Sequence, residues 1–132
     1  MDLTFNYIED EGVRYLSEHG LRHVKQLHTL NLTINRIGDE GARHLSEQGL
    51  RHVPQLHTFI IGNTDIGDEG ARHLSEPDQG LQHVKRLHTL DLSFNGIGTE
   101  GARHLADGLQ HVTHLHTLDL RYNEIAEGVW YL

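Results

Sequence analysis

Apolar residues follow two alternating rhythms along the chain. Across residues 27–37, Leu30 and Leu32 alternate with polar Thr29, Asn31 and Thr33, the period of two expected of a strand with one buried face. Further on, Ala42, Leu45, Leu50 and Val53 fall near helical spacing, and Arg43, His44, Glu47 and Arg51 take the other faces. That half predicts an amphipathic helix.

Both rhythms return. A pattern of the form L-x-x-L-x-L-x-x-N-x-I starts at Leu27, Leu56, Leu87 and Leu115, with a truncated copy from Met1 to Ile8, and Ile37 to Glu47 recurs letter for letter as Ile66 to Glu76. Between the equivalent positions Asn6, Asn35, Thr64, Asn95 and Asn123 the periods are 29, 29, 31 and 28 residues. The chain is therefore a tandem array. It reads as a single domain of about four and a half units, roughly 1–26, 27–55, 56–86, 87–114 and a partial 115–132.

The five-point motif and the G-D-E-G-A-x-x-L second half resemble the leucine-rich repeat, and the unit length resembles its ribonuclease-inhibitor-like subclass. The resemblance covers essentially the whole chain. It implies an α/β solenoid with a curved parallel sheet on the concave side and helices on the convex side. It also implies that Asn6, Asn35, Asn95 and Asn123 point inward and bond loop backbone, as a buried amide must. Thr64 interrupts that ladder, and a hydroxyl replaces only one such bond, so the third repeat is expected to be locally looser.

Other columns have structural readings. Asp10, Asp39, Asp68 and Thr99 stand just before Glu11, Glu40, Glu69 and Glu100, which predicts an N-cap oxygen followed by a first-turn carboxylate at each helix. Gly12, Gly41, Gly70, Gly101 and Gly128 form one glycine column, expected where helix backbone approaches the sheet; Gly20, Gly49, Gly80 and Gly108 form a second. The steps Leu45 to Leu50, Leu74 to Leu81 and Leu105 to Leu109 are five, seven and four residues. Only the last is helical, so insertions bulge the convex side. Pro77 predicts a break between Ser75 and Gly80.

The terminal units carry none of the family's caps. Either Val129, Trp130 and Tyr131 fold over the last unit, or the chain is a piece of a longer array whose ends self-associate, because a solenoid unit buries its apolar face only against neighbours.

Composition changes the picture less than it first suggests. With 11 Lys and Arg against 19 Asp and Glu the net charge is −8, which disfavours nucleic acid and anionic membrane surfaces. The longest apolar run is Val129 to Leu132, far short of the ~20 residues needed to span a bilayer. No secretory signal is visible at Met1-Asp2-Leu3, and a cytoplasmic location is favoured. The absence of Cys excludes disulfides, thiolate zinc and cysteine nucleophiles.

The 13 histidines collapse into columns: His44, His73 and His104; His23, His52, His83 and His111; His28, His57, His88 and His116. Only His19 and His114 stand apart. Adjacent strands lie ~4.8 Å apart, so the last column could share an ion or simply form a solvated ladder. The cluster His111, His114 and His116 is the metal candidate by ligand type and proximity, yet it lacks a motif such as H-E-x-x-H. No metal or cofactor is assigned. Mutual repulsion along the strand column is expected to depress its pKa values.

What the resemblance implies about function is a protein partner on the concave face and the loop after each strand. The exposed strand column includes Asp2, Asn31, Ile60, Asp91 and Asp119; the next includes Thr4, Thr33, Gly62, Ser93 and Arg121. The loop column is Phe5, Ile34, Asn63, Phe94 and Tyr122. Phe5, Ile34, Phe94 and Tyr122, beside Asn31, Asp91, Asp119 and Arg121, form the candidate partner site. Its rings either anchor an interface or tuck into the ascending loop. Asn31-Leu-Thr33 matches a glycosylation sequon but lies mid-strand.

The leading expectation is a non-enzymatic protein-interaction scaffold. The alternatives are a small-GTPase regulator, since the repeats also resemble those of Ran GTPase-activating proteins, or an excised or engineered array without independent function. No phosphate-cradling glycine loop or nucleophile elbow supports an enzyme.

Overall fold

Four of the five repeated strand positions become short strands in the computed structural model, which describes residues 1–125. The strands are β1 (Thr29–Asn31), β2 (Thr58–Ile60), β3 (Thr89–Asp91) and β4 (Thr117–Asp119), paired in parallel and in sequence order. Thr29 faces Thr58, Thr58 faces Thr89, and Thr89 faces Thr117, so the repeat alignment is also the register. The first unit extends the ladder through a bridge between Asp2 and Asn31. Leu30, Phe59 and Leu90, with Leu32, Ile61 and Leu92, point inward and are fully buried. Removing each such side chain from water contributes ~1.5–3 kcal/mol.

The other layer holds α1 (Asp10–Tyr15), α2 (Gly38–His44), α3 (Asp68–Ser75) and α4 (Thr99–Leu109). The leucine step decides how each continues. A five-residue step is closed by a π turn, in which Leu21 N donates to Leu16 O and Leu50 N to Leu45 O; each turn runs on into a 3-10 turn at Leu21–His23 or Leu50–His52. The i→i+5 bond keeps both leucines on the buried side. The four-residue step from Leu105 to Leu109 gives the uninterrupted α4. In the seven-residue step α3 stops at Ser75, Glu76 turns extended at ψ 143°, and a 3-10 turn restarts at Gly80. Gly80 has φ +59°, and a Cβ there would lie 2.4 Å from Leu74 O, so no other residue fits.

The aspartates do not cap their own helices. Asp39 Oδ1 accepts the backbone N–H of Gly67 and of Gly70, both at 2.8 Å, and Asp68 Oδ1 accepts those of Gly98 at 2.7 Å and Gly101 at 2.9 Å. Each carboxylate thus caps the helix of the next unit. The reason is position: Asp68 is the first residue of α3 rather than its N-cap, which is the extended Gly67. Asp10 receives only Glu11 N, at 3.0 Å. The glycine column is corrected in the same way. A Cβ at Gly70 would lie 2.7 Å from both Asp39 Oδ1 and Ile66 Cγ2, one at Gly101 2.6 Å from Asp68 Oδ1 and 2.8 Å from Ile97 Cγ2, and those at Gly12 and Gly41 would meet Ile8 and Ile37. The column thus makes room for the isoleucine before each helix and, at Gly70 and Gly101, for a neighbouring carboxylate, not for the sheet.

The asparagine ladder forms at Asn35, Asn95 and Asn123, but Asn6, in the first unit, is exposed and its amide donates only to Thr4 O. Asn35 Oδ1 accepts from Asn6 N and Ile8 N, and its amide donates to Leu3 O and Leu32 O. Asn95 accepts from Thr64 N and Ile66 N and donates to Ile61 O and Leu92 O. Thr64 is fully buried and reproduces only the bond to Ile61 O, at 2.8 Å.

The consequence of Thr64 falls on the second unit, contrary to expectation, because the missing acceptor would have held the loop after β1. There Gly38 N instead donates to Thr64 O, Gly38 takes φ +66°, and α2 begins after a helical Ile37 where α1, α3 and α4 begin after extended residues. The expected fifth helix, its Gly128 and the capping reading of Val129, Trp130 and Tyr131 lie outside the described residues.

Candidate functional site

The loop column is set by the backbone ladder. Phe5 N donates to Thr33 O, Ile34 N to Gly62 O, Asn63 N to Ser93 O and Phe94 N to Arg121 O, extending the strand pairing by one position per unit. To leave the strand there, Phe5, Ile34, Asn63, Phe94 and Tyr122 all adopt φ between 53° and 61°. Asn tolerates this left-handed region, but for large side chains it costs roughly 1–2 kcal/mol per residue. Ile34, being β-branched, is the least suited.

That conformation turns the side chains outward. Phe5 is 57% exposed, Ile34 40%, Phe94 55% and Tyr122 68%, so the rings do not tuck into the ascending loop. Phe94 and Tyr122 stack at 4.3 Å between centroids with 15° between planes. Phe5 meets Tyr7 edge-on at 5.5 Å. Asn63 separates the two pairs, so the stripe is two aromatic clusters rather than one continuous band. Tyr7, 69% exposed at φ 55°, was not singled out by the sequence reading, because its column otherwise holds Arg36, Asp65, Gly96 and Glu124.

The polar members of the site are largely engaged. Asn31 Oδ1 accepts Thr33 N and its hydroxyl, and Asp91 Oδ1 accepts Ser93 N and its hydroxyl. Asp119 accepts Arg121 N and forms a two-pronged ion pair with the guanidinium, at 3.0 and 2.8 Å. The Arg121 side chain holds the Asp119 carboxyl below its usual range. These residues fasten the turn after each strand; where Ile60 and Gly62 replace them, the face is apolar and close-packed.

The histidine candidates separate. His114 and His116 line a cavity with His57, Arg86, His88 and Thr113, whereas His111 opens onto another, beside His104 and Asp107. Among the described residues no group of three His, Cys, Asp or Glu side chains is placed to hold a metal ion. No described helix is long and apolar enough to cross a membrane.

One strand per unit in a parallel sheet, a helical return on the other layer, and an outward-facing loop column define a repeat solenoid. A family model described as Leucine Rich repeat matches residues 1–17, 25–46, 85–106 and 111–126. More than half of the chain is matched, and the chain belongs to the leucine-rich-repeat family. The unmatched stretch 47–84 contains Thr64 and Pro77, the departures noted above.

Among solved structures the chain is similar to the tropomodulin C-terminal domain of Caenorhabditis elegans, at 20% identity and TM-score 0.59, over 83% of this chain and 62% of that one. It is also similar to an internalin of Listeria monocytogenes, at 22% identity and TM-score 0.44, over 82% of this chain and 32% of that one. The chain thus spans less than two thirds of either structure. Comparison with curated proteins gives no match.

Proposed function

We propose that this protein is a non-enzymatic protein-interaction module of the ribonuclease-inhibitor-like subclass, which uses the loop column and sheet face to hold a protein partner. The carrying observation is the outward set of Phe5, Ile34, Phe94 and Tyr122 in left-handed backbone. Large apolar side chains held at a conformation they disfavour, where Asn63 shows the relaxed choice, are a strain expected at a binding surface. Exposed aromatics of this kind supply most of the energy at protein interfaces. Asp91 and Asp119 fix the turns that present the rings, and Asn31 does the same in the second unit.

A photo-reactive amino acid at position 94, with position 103 on the helical layer as control, tests the reading in extracts of the native host. Adducts to a discrete protein from position 94 alone uphold it; equal labelling from both positions overturns it. The small-GTPase regulator reading has no observation in its favour, and an assay of stimulated GTP hydrolysis separates it from the scaffold.

A further inference from the structure

Charge is segregated along this molecule in a way its net value conceals. The stretches 21–29, 50–58, 81–89 and 109–117, which lead into the four strands, contain no Asp or Glu, yet hold Arg22, Lys25, Arg51, Lys85, Arg86 and most of the histidines. Because the sheet is parallel, these stretches share the edge where strands begin, opposite the aromatic loop column. Among the described residues Arg14, Arg43, Arg72, Arg103 and Arg121 pair with carboxylates. The five cations of this edge form no such pair among the described residues, and Arg86 donates to the neutral Gln55, at 3.0 Å.

At the centre of the edge three imidazoles stand in a row. The His57 and His88 rings stack, 4.7 Å apart and 9° from parallel, and His116 follows at 4.5 Å from His88, tilted by 53° to it. Strand register imposes this, since His88 N donates to His57 O and His116 N to His88 O. His57 and His88 each set Nδ1 against the hydroxyl of the following Thr, at 3.3 and 3.4 Å, which leaves Nε2 as the nitrogen open to a ligand. With Arg86, Thr113 and His114 the row lines an open cavity of about 540 Å³ without a carboxylate. Such a lining offers hydrogen-bond donors and, once protonated, positive charge with no internal counter-ion.

We propose that this edge holds a phosphate-class oxyanion among His57, His88, His114, His116 and Arg86, and holds it more tightly as the imidazoles protonate. A guanidinium suits such an anion by its planar fork of donors, and imidazoles gain their second donor only when protonated. The groups facing His88 are His57, His116, His114 and Arg86, all of one sign when charged. An anion therefore relieves their repulsion. This site is separate from the proposed partner surface and does not depend on it.

Calorimetric titration with pyrophosphate, on the full chain at low salt, tests the proposal. Binding near pH 6 that weakens about tenfold or more near pH 7.5, as imidazolium donors are lost, is the expected result. Arg86→Ala combined with His88→Gln removes it, whereas Arg103→Ala, on the helical layer, leaves it intact. Histidine-ring NMR on the unaltered protein gives a readout that needs no variant: signals of His57, His88 and His116 move on titration and that of His19 does not. Vesicles of phosphatidylcholine with phosphatidic acid form the second arm. Binding of pyrophosphate assigns a soluble phosphate, and binding of vesicles alone assigns a headgroup. No binding in either arm, or equal loss with Arg103→Ala, overturns the site.

Discussion

The Asp39 carboxylate accepts the backbone N–H of Gly70 at 2.8 Å, one repeat further along the chain. Asp68 and Gly101 repeat the relationship at 2.9 Å. The starts of α3 and α4 are therefore completed by the preceding unit, which couples those units through a capped terminus as well as through apolar packing. Asp68→Ala is expected to lower stability by ~1–2 kcal/mol, the range of a lost cap. Asp10→Ala loses less, since Asp10 receives only Glu11 N. Urea unfolding of both variants checks the order.

Gly101→Ala gives the complementary test. In a solvent-facing helix the change would gain up to ~1 kcal/mol from propensity. Here the new methyl would meet Asp68 Oδ1 at 2.6 Å and Ile97 Cγ2 at 2.8 Å, so the variant is expected to be less stable. A raised midpoint in the same urea series would contradict the neighbour-capping account.

Thr64→Asn is expected to restore the interrupted ladder. Its carbonyl oxygen would accept from Asn35 N and Ile37 N, as Asn35 does for Asn6 and Ile8. The gain is about 1 kcal/mol, typical of one to two net hydrogen bonds. Hydrogen exchange reads it locally: the Asn35 and Ile37 amides exchange faster than those of Thr64 and Ile66 in the present chain, and slow in the variant.

Ile34→Asn is expected to stabilise the fold by up to about 1 kcal/mol, because Ile34 holds φ 57° and is 40% exposed. Asn63 already occupies this column. A variant that is more stable yet loses its crosslinked partner would separate the binding role of Ile34 from any structural one; thermal melts and the position-94 crosslink supply the two readings.

Stability is expected to fall with acid. Burial, then the charges of Arg51, Arg22 and Lys25, lower the His52 pKa; burial, then His116 and His57, lower that of His88. The unfolded chain protonates these groups first, near pH 6.5. Their contribution is thus present above that pH and is lost as pH falls through the depressed folded values. Melts near pH 7.5 and pH 5 check the sign, and pyrophosphate should recover part of the loss at the lower pH. His88, the middle ring of the row, carries the effect expected of the whole column, with burial as its first cause.

Much of the solenoid was legible because a repeat states its own register. Once Leu30, Phe59, Leu90 and Leu118 are aligned, parallel pairing places them opposite one another. The break at Pro77 was equally legible, since a residue without an N–H cannot continue α3. Whether the Phe94 and Tyr122 rings face water was not legible, because an apolar residue after a strand suits a packed loop and an exposed anchor alike.

The sequence by itself determined the unit, the strand, the inward leucines and the asparagine ladder, all set by local periodicity and by the obligation of buried amides to bond. Only the tertiary structure decided which helix Asp39 and Asp68 cap, which loop Thr64 reshapes, that the aromatic residues stand in left-handed backbone facing solvent, and that the histidines of separate units line up along one cation-rich edge. Those are relations between repeats. They depend on the distance and orientation at which one unit lies on the next, which no single unit's pattern contains.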